Sequence, residues 1–163
     1  MNKESSASVW SDKEFECFYN EEEPFTNYAV GAEKPFDTNA HFYIFLASLA
    51  FYEDLKPIKT KERGDKGQVR MSIFKNNRLQ GVIYSLALNK KKDYSILKDD
   101  EACCEIFEGY VNAGYKFLRD DSINFASPED LFEHHGSLIY KVSNENKAAE
   151  EELEDDDLGE LEL

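Results

Sequence analysis

The segment from Asp99 to Asp121 combines apolar and charged residues at the spacing of a long amphipathic helix. At about 100° per residue, one contiguous arc holds Gly114 together with the apolar side chains Cys103, Ile106, Phe107, Tyr110, Val111, Phe117 and Leu118. The opposite arc holds the polar side chains Glu101, Glu105, Glu108, Asn112, Lys116 and Arg119. Acids at the start of the segment and cations near its end suit the helix dipole. The pattern predicts a helix against whose apolar side the rest of the chain packs.

Gly114 lies in the middle of the apolar arc. A glycine inside a helix costs roughly 1 kcal/mol relative to alanine, so its presence there predicts that another backbone approaches closely. A leucine at this position is then expected to destabilise the fold by overpacking. Gly109 lies off the arc, and the sequence offers no packing explanation for it. The candidate helix-packing signature of this segment is Glu108, Tyr110, Asn112 and Gly114.

Three further segments predict helices around this one. His41–Leu55 is apolar on almost every side, as expected of a central core helix, and Asp37 or Thr38 is a suitable N-cap. Arg78–Leu88 is amphipathic, with Asn76 or Asn77 as its cap. A last amphipathic helix starts at Ser127-Pro128 and ends near Val142. The fold class predicted is mainly α, a small single-domain bundle of about four to five helices.

The segment Gln68–Phe74 alternates apolar and polar residues in a strand-like pattern. A lone strand leaves its backbone groups unpaired, so three interpretations stay open. The strand pairs with the N-terminal region, it pairs across a homodimer, or the segment is the start of a helix. A short β-strand or ribbon is therefore an optional part of the predicted fold.

The predicted domain organisation has three parts. Residues 1–12 are expected to be a flexible N-terminus, although Val9 and Trp10 are apolar enough to dock on the core. Residues 13–143 form the helical domain. Residues 144–163 contain ten acids and one lysine, and such a composition predicts a disordered acidic tail.

Charge is segregated along the chain. Residues 56–98 carry twelve lysines and arginines against three acids, although the whole chain has a net charge of −15. The loop Lys56–Gly67 is expected to be exposed, either as a solvated connection or as a polyanion contact. The candidate contact residues for a polyanion or a protein partner are Lys56, Lys59, Lys61, Arg63, Lys66, Arg70, Lys90, Lys91 and Lys92.

No constellation of residues points to catalysis. Nucleotide-binding, hydrolase and metalloprotease motifs are absent from the sequence. His134 and His135 are adjacent, so their side chains diverge on a helix and do not chelate one metal. The expectations are a protein that is not an enzyme, without catalytic, cofactor-binding or metal-binding residues, and without a disulfide. The sequence also lacks an apolar membrane span and a signal peptide, so we expect a cytoplasmic protein.

Several stretches resemble a known family. They are the aromatic–alanine helix Phe42 to Tyr52, the segment Ser72 to Asn77, the helix ending in Ser85 to Leu88, and Ile106 to Leu118. In order and spacing, from about Lys13 to Val142, they resemble the fourth class of accessory proteins associated with bacterial DNA phosphorothioation (Dnd) systems. The last stretch is the most specific, because it resembles the glutamate–tyrosine–alanine–asparagine–glycine–glycine stretch of that family. The chain departs from the family pattern at Val111, at Ala113, around residues 21–36 and in the acidic tail.

The resemblance implies a context of defence against foreign DNA and brings no catalytic motif. The leading hypothesis is a non-enzymatic accessory or regulatory protein that binds protein partners of a defence complex. Two rivals stay open. One is nucleic-acid binding through residues 56–98, with weak DNA affinity expected, and the other is an acidic DNA mimic. A homodimer is a further expectation if the strand-like segment needs a partner.

Overall fold

The computed structural model describes residues 6–16, 29–64, 67–127 and 129–136. The strands are β1 (Ser8–Val9) and β2 (Val69–Arg70). The α-helices are α1 (Lys13–Glu16), α2 (Asn39–Tyr52), α3 (Met71–Asn76), α4 (Gln80–Lys91) and α5 (Asp100–Asp121), and residues 129–136 are also helical. Short 3-10 helices span Tyr94–Lys98 and Ser122–Asn124. The predicted mainly helical fold with a short β ribbon is confirmed.

Helix α5 is the element on which the other elements pack. Its N-cap is Asp99, whose side chain accepts a hydrogen bond from the backbone N–H of Ala102 at 3.0 Å. Its apolar side contacts α2 and α4. Aromatic rings meet this side of α5 edge to face, with Phe42 of α2 against Tyr115 at 5.4 Å and Phe74 of α3 against Phe107 at 5.7 Å between centroids. The predicted long amphipathic helix is confirmed.

The crossing of α2 and α5 is centred on Gly114. A Cβ atom added to Gly114 would lie 2.3 Å from the carbonyl oxygen of Leu46 and 2.8 Å from its carbonyl carbon. Real side chains do not approach backbone atoms this closely. The close backbone approach predicted for Gly114 is confirmed, and its partner is the middle of α2.

Helix α2 has the central position predicted for it. Thr38 is its N-cap and accepts a hydrogen bond from the His41 N–H at 3.4 Å. The residues that it buries are Ala40, Phe42, Tyr43, Leu46, Ala47, Leu49 and Ala50. The helix ends at Tyr52 rather than at the predicted Leu55, and Asp54 adopts a positive φ of 52° just beyond it.

The strand-like segment is partly a strand and partly a helix. Val69 and Arg70 pair antiparallel with Val9 and Ser8 of the same chain, and Met71 already begins α3. The predicted strand over Gln68–Phe74 is therefore wrong beyond Arg70, because Met71 and Phe74 are buried at helical spacing on one side of α3. The pairing within one chain also removes the argument from which a homodimer was predicted.

The remaining boundaries differ modestly from the predicted ones. Asn77 ends α3 rather than capping α4, because its N–H donates to the Ile73 carbonyl at 3.1 Å. In the last helix the Ser127 hydroxyl accepts from the Asp130 N–H at 3.2 Å, as its predicted cap role requires. The predicted parts at residues 17–28, the end of the last helix at 137–142 and the tail at 144–163 lie outside the described residues.

Candidate interaction site

The side of α5 predicted to be polar contains two buried side chains. Glu108 is 7% exposed and Asn112 is 0% exposed. The helical wheel places both on the polar arc, and both also belong to the candidate helix-packing signature; two segments distant in sequence cover them. These segments are residues 10–12 and residues 58–61, and both are hydrogen-bonded to this side of α5.

Asn112 uses its whole amide group to hold both segments. Its Oδ1 accepts a hydrogen bond from the backbone N–H of Asp12 at 2.8 Å. Its Nδ2 donates to the carbonyl oxygen of Ile58 at 3.1 Å and to Oγ1 of Thr60 at 2.9 Å. Because all three hydrogen bonds of this buried amide are formed, they stabilise one arrangement of α5, residues 10–12 and residues 58–61.

Glu108 completes the same network. Its Oε2 accepts from the backbone N–H of Trp10 at 2.9 Å, and its Oε1 accepts from the Thr60 hydroxyl. Asp12 in turn accepts from the Lys61 N–H through Oδ2 at 2.6 Å. We name the side chains of Asp12, Thr60, Glu108 and Asn112 the polar clamp. The clamp fixes part of the basic loop that the sequence predicted to be a solvated connection or a polyanion contact.

The same loop explains why a glycine occupies position 109. A Cβ atom on Gly109 would lie 2.8 Å from Cβ of Pro57, and the Ile58 N–H donates to the Gly109 carbonyl at 2.9 Å. The glycine that lacked a packing explanation in the sequence thus allows the loop to lie directly on α5.

Burial raises the pKa of the Glu108 carboxyl above its ordinary value of 4.5, and the hydrogen bonds from Thr60 and the Trp10 amide lower it without cancelling that effect. Because the folded protein holds this proton to a higher pH than the unfolded chain, Glu108 lowers the stability as pH rises above the unfolded value. We expect the wild type to lose stability relative to Glu108→Gln as the pH rises above the ordinary carboxyl value of 4.5. Urea unfolding of both proteins below and above this pH measures the difference, and a constant difference would contradict the expectation.

A groove opens beside the polar clamp, and three of the predicted cations line it. Lys59, Lys61 and Arg63 line it together with Pro57, Thr60, Glu105, Ile106, Glu108 and Gly109, and its volume is about 520 Å³. We name it the basic groove. The Arg63 guanidinium lies 5.3 Å from the ring centroid of Trp10, as in a cation–π contact. In the described part of the chain, neither Lys59 nor Lys61 has an ion-pair partner.

The other predicted contact residues lie on different elements. Lys56 precedes the groove residues in the chain, and Arg70 follows them on β2. Both side chains are exposed. Lys90 and Lys91 are in the last turn of α4, and Lys92 is its C-cap with a positive φ of 56°. Lys66 lies outside the described residues. The structure therefore brings together three of the nine predicted cations in one groove.

Part of α2 remains uncovered. Phe51 and Tyr52 are each 49% exposed, whereas Ile44, Phe45 and Ser48 are half-buried on the same side of the helix. Two clefts of about 450 and 410 Å³ adjoin this side, and Ser48 lines both. We name these five residues the outer α2 face. The sequence predicted a helix that is apolar all round, but it did not indicate which side stays exposed.

His135 and the two described cysteines, Cys103 and Cys104, are buried. His135 is 3% exposed, and its Nε2 lies 2.8 Å from Oδ2 of Asp121. Burial raises the pKa of the Cys104 thiol to about 12. In residues 6–16, 29–64, 67–127 and 129–136 no three His, Cys, Asp or Glu side chains are grouped so as to hold a metal ion. The described helices include none with the length and apolar character needed to cross a membrane.

Comparison with known families places these features in context. The sequence model of the family described as DNA sulphur modification system-associated protein 4 matches residues 25–159. The chain belongs to this family. The resemblance seen in the sequence is thereby confirmed. No curated protein and no solved structure matches the chain.

The family match includes most of the features described above. It covers α2, α4, α5, the basic groove and the outer α2 face, whereas Trp10 and Asp12 precede it. It begins later than the predicted coverage from Lys13 and ends later than Val142. The match continues through residues 144–159, so the family pattern extends into the acidic segment that was interpreted as a departure from it.

Proposed function

We propose that this protein is a non-enzymatic accessory subunit of a bacterial anti-phage defence system linked to DNA phosphorothioation. Its role is to bind another protein of that system through the outer α2 face. Membership of a family associated with DNA sulphur modification supports the context. The uncovered aromatic side of the central helix supports the mode of action.

The outer α2 face has the properties of a recognition surface. Exposed aromatic side chains are enriched in the centre of protein interfaces, where they supply most of the binding energy. The ring of Phe51 packs edge to face against the ring of Tyr110, with 6.4 Å between the centroids. The opposite side of α2 is buried against α5, so the face is rigid and little entropy is lost when a partner binds.

The shape of the face favours a helical partner. The five residues recur at helical spacing, and clefts lie next to them at both ends of the row. An amphipathic helix binds such a surface by placing its apolar side chains in successive clefts. Asp37 lines one cleft and Arg78 the other, so a partner helix with a cation near the first and an acid near the second is complementary.

Two substitutions on this face are expected to abolish partner binding without unfolding the protein. Ser48→Arg fills the point where the clefts meet, and Tyr52→Glu places a charge on the apolar surface. We expect the double variant to lose at least about tenfold in affinity, because each interface centre residue is worth roughly 1 to 2 kcal/mol. The measurement is calorimetric titration against each purified protein of the host's DNA sulphur modification system.

Tyr94→Glu is the matched control, because Tyr94 is 77% exposed but lies on the 3-10 helix after α4. This variant is expected to bind as the wild type does. Equal affinity of the double variant and the wild type for a bound partner would exclude the outer α2 face as the docking site.

Direct nucleic-acid binding is the second candidate. It is favoured by the grouping of Lys59, Lys61 and Arg63 in one groove, where neither lysine has an ion-pair partner among the described residues. Glu105 in the same groove and the net charge of −15 oppose it, since both repel phosphates. A duplex whose binding depends on Lys59 and Lys61 would put this candidate first.

A further inference from the structure

We propose that the basic groove binds the chain's own acidic segment, residues 150–157, which has the sequence EEELEDDD. The proposal concerns a different surface from the outer α2 face and does not depend on it. Residues 150–157 contain seven carboxylates around Leu153. The groove offers Lys59 and Lys61, which have no ion-pair partner among the described residues, and the apolar side chains of Pro57 and Ile106. Glu105 also lines it and repels an anionic peptide as it repels DNA, but a segment on the same chain is held near the groove and so tolerates this repulsion better than a free duplex.

The cations of the groove are presented at fixed positions. Thr60 points inward and bonds to Glu108 and Asn112, while the Lys61 N–H bonds to Asp12. In an extended segment, alternate side chains point to the same side, so Lys59 and Lys61 face away from α5 together. Both side chains are exposed. Because the clamp has already ordered the backbone, binding an anionic peptide costs less entropy here than on a mobile loop.

The apolar part of the groove matches the one apolar residue of the acidic run. Pro57 of the loop and Ile106 of α5 both line the groove. A peptide with a leucine among carboxylates can place the leucine on these side chains and its neighbours on Lys59, Lys61 and Arg63. Duplex DNA has no apolar group in the corresponding place on its phosphate backbone.

The acidic segment lacks counterions of its own and has enough chain to reach the groove. Residues 144–163 contain ten acids and only Lys147 as a cation. The last described residue is Gly136, and the chain between it and residue 150 spans up to about 45 Å when extended. A domain of this size has a radius of gyration of about 14 Å, so the extended linker is at least as long as the domain is wide.

Tethering makes a weak electrostatic contact sufficient. Exposed ion pairs are individually weak, so we expect a free peptide to bind only at about 100 µM. A segment on the same chain acts at an effective concentration of about 1 mM, which keeps such a groove about 90% occupied. The family match supports a shared role for the segment, because it continues to residue 159.

The test uses the full-length chain and a full-length variant with a neutralised tail. In the variant the substitutions are Glu150→Gln, Glu151→Gln, Glu152→Gln, Glu154→Gln, Asp155→Asn, Asp156→Asn and Asp157→Asn. A fluorescein-labelled peptide of residues 148–163 is titrated into each protein at low salt, and anisotropy is recorded. We expect the variant to bind the peptide about tenfold more tightly than the wild type, because its own tail no longer competes.

Charge reversal locates the site. In the tail-neutralised chain, Lys59→Glu with Lys61→Glu is expected to abolish peptide binding. The matched control is Lys90→Glu with Lys91→Glu, which reverses two exposed lysines on α4 and is expected to leave peptide binding unchanged. Emission from Trp10, the sole tryptophan, reports on the groove because its ring contacts Arg63. The emission is expected to change with salt in the wild type and not in the neutralised chain.

Three outcomes would overturn the proposal. Equal peptide affinity of the wild type and the neutralised chain would show that the tail does not occupy the groove. If the Lys59/Lys61 and Lys90/Lys91 charge reversals weakened peptide binding equally, the attraction between peptide and protein would be non-specific. Displacement of the peptide by a short DNA duplex at lower concentration than by unlabelled peptide would identify the groove as a nucleic-acid site instead.

Discussion

Gly114→Ala is expected to lower the free energy of unfolding by about 3 kcal/mol or more, although alanine is the better helix former. The added methyl group would lie 2.3 Å from the carbonyl oxygen of Leu46, which belongs to the backbone of α2. A backbone atom cannot rotate away as a side chain can, so the two helices must separate. Because α2 and α5 form the main helix contact of the fold, their separation loosens the aromatic core between them.

Gly81→Ala is the matched control for this prediction. Gly81 also lies within a helix, but a Cβ atom there meets nothing within 4 Å. The control is expected to raise the stability by up to about 1 kcal/mol, through helix propensity alone. Thermal and urea unfolding of both variants provide the measurement. If the two variants differed by less than the error of the fits, the close crossing of α2 and α5 would not exist in solution.

The packing of α5 was predictable from the sequence because it follows from local periodicity. The apolar arc is formed by residues that are close in the chain, and it identified both the helix and the close approach at Gly114. The capping acid Asp99 and the cap Thr38 are local signals of the same kind. Such features depend on the backbone geometry of one element and on burial of one side.

The polar clamp was not predictable in this way. Glu108 and Asn112 fall on the polar arc of the helical wheel, and a wheel does not indicate which polar residues become covered. Their partners Trp10 and Asp12 are 98 and 100 residues away in the chain. One signal was present, since Gly109 between them costs helix stability without an evident reason. A glycine next to polar residues on a helix indicates a backbone that lies across it.

The short strand shows the same division between local and distant information. Alternation of Val69, Met71 and Ile73 with polar residues predicts a strand through Phe74. The length of a strand is set by its partner, however, and β1 has only two residues. The Met71 N–H still donates to the Ala7 carbonyl at 2.9 Å, and from Met71 onward the backbone takes the helical conformation of α3. Met71 and Phe74, at helical spacing, are then buried.

The largest effect of a polar substitution is expected at Asn112. Asn112→Leu keeps the number and branching of the side-chain heavy atoms but removes one acceptor and the two donated hydrogen bonds. The Asp12 N–H and the Ile58 carbonyl would remain buried without their partners. Each unpaired buried group costs roughly 1 to 3 kcal/mol, so we expect a loss of about 3 to 5 kcal/mol. This is a large part of the roughly 5 to 15 kcal/mol that stabilises a typical domain.

The loss of stability in Asn112→Leu is expected to affect the segments that Asn112 joins more than the rest of the fold. Asn112 joins α5 to the segments around Asp12 and Thr60, so its removal should release both segments at free energies below that of complete unfolding. Hydrogen exchange followed by mass spectrometry measures this release, as faster exchange in residues 8–12 and 58–64 than in α2. Asn76→Ala, an exposed asparagine at the end of α3, is the control and is expected to change stability by less than about 0.5 kcal/mol. Uniform exchange across all elements of Asn112→Leu would mean that the clamp belongs to the core, and that the basic groove has no ordered support of its own.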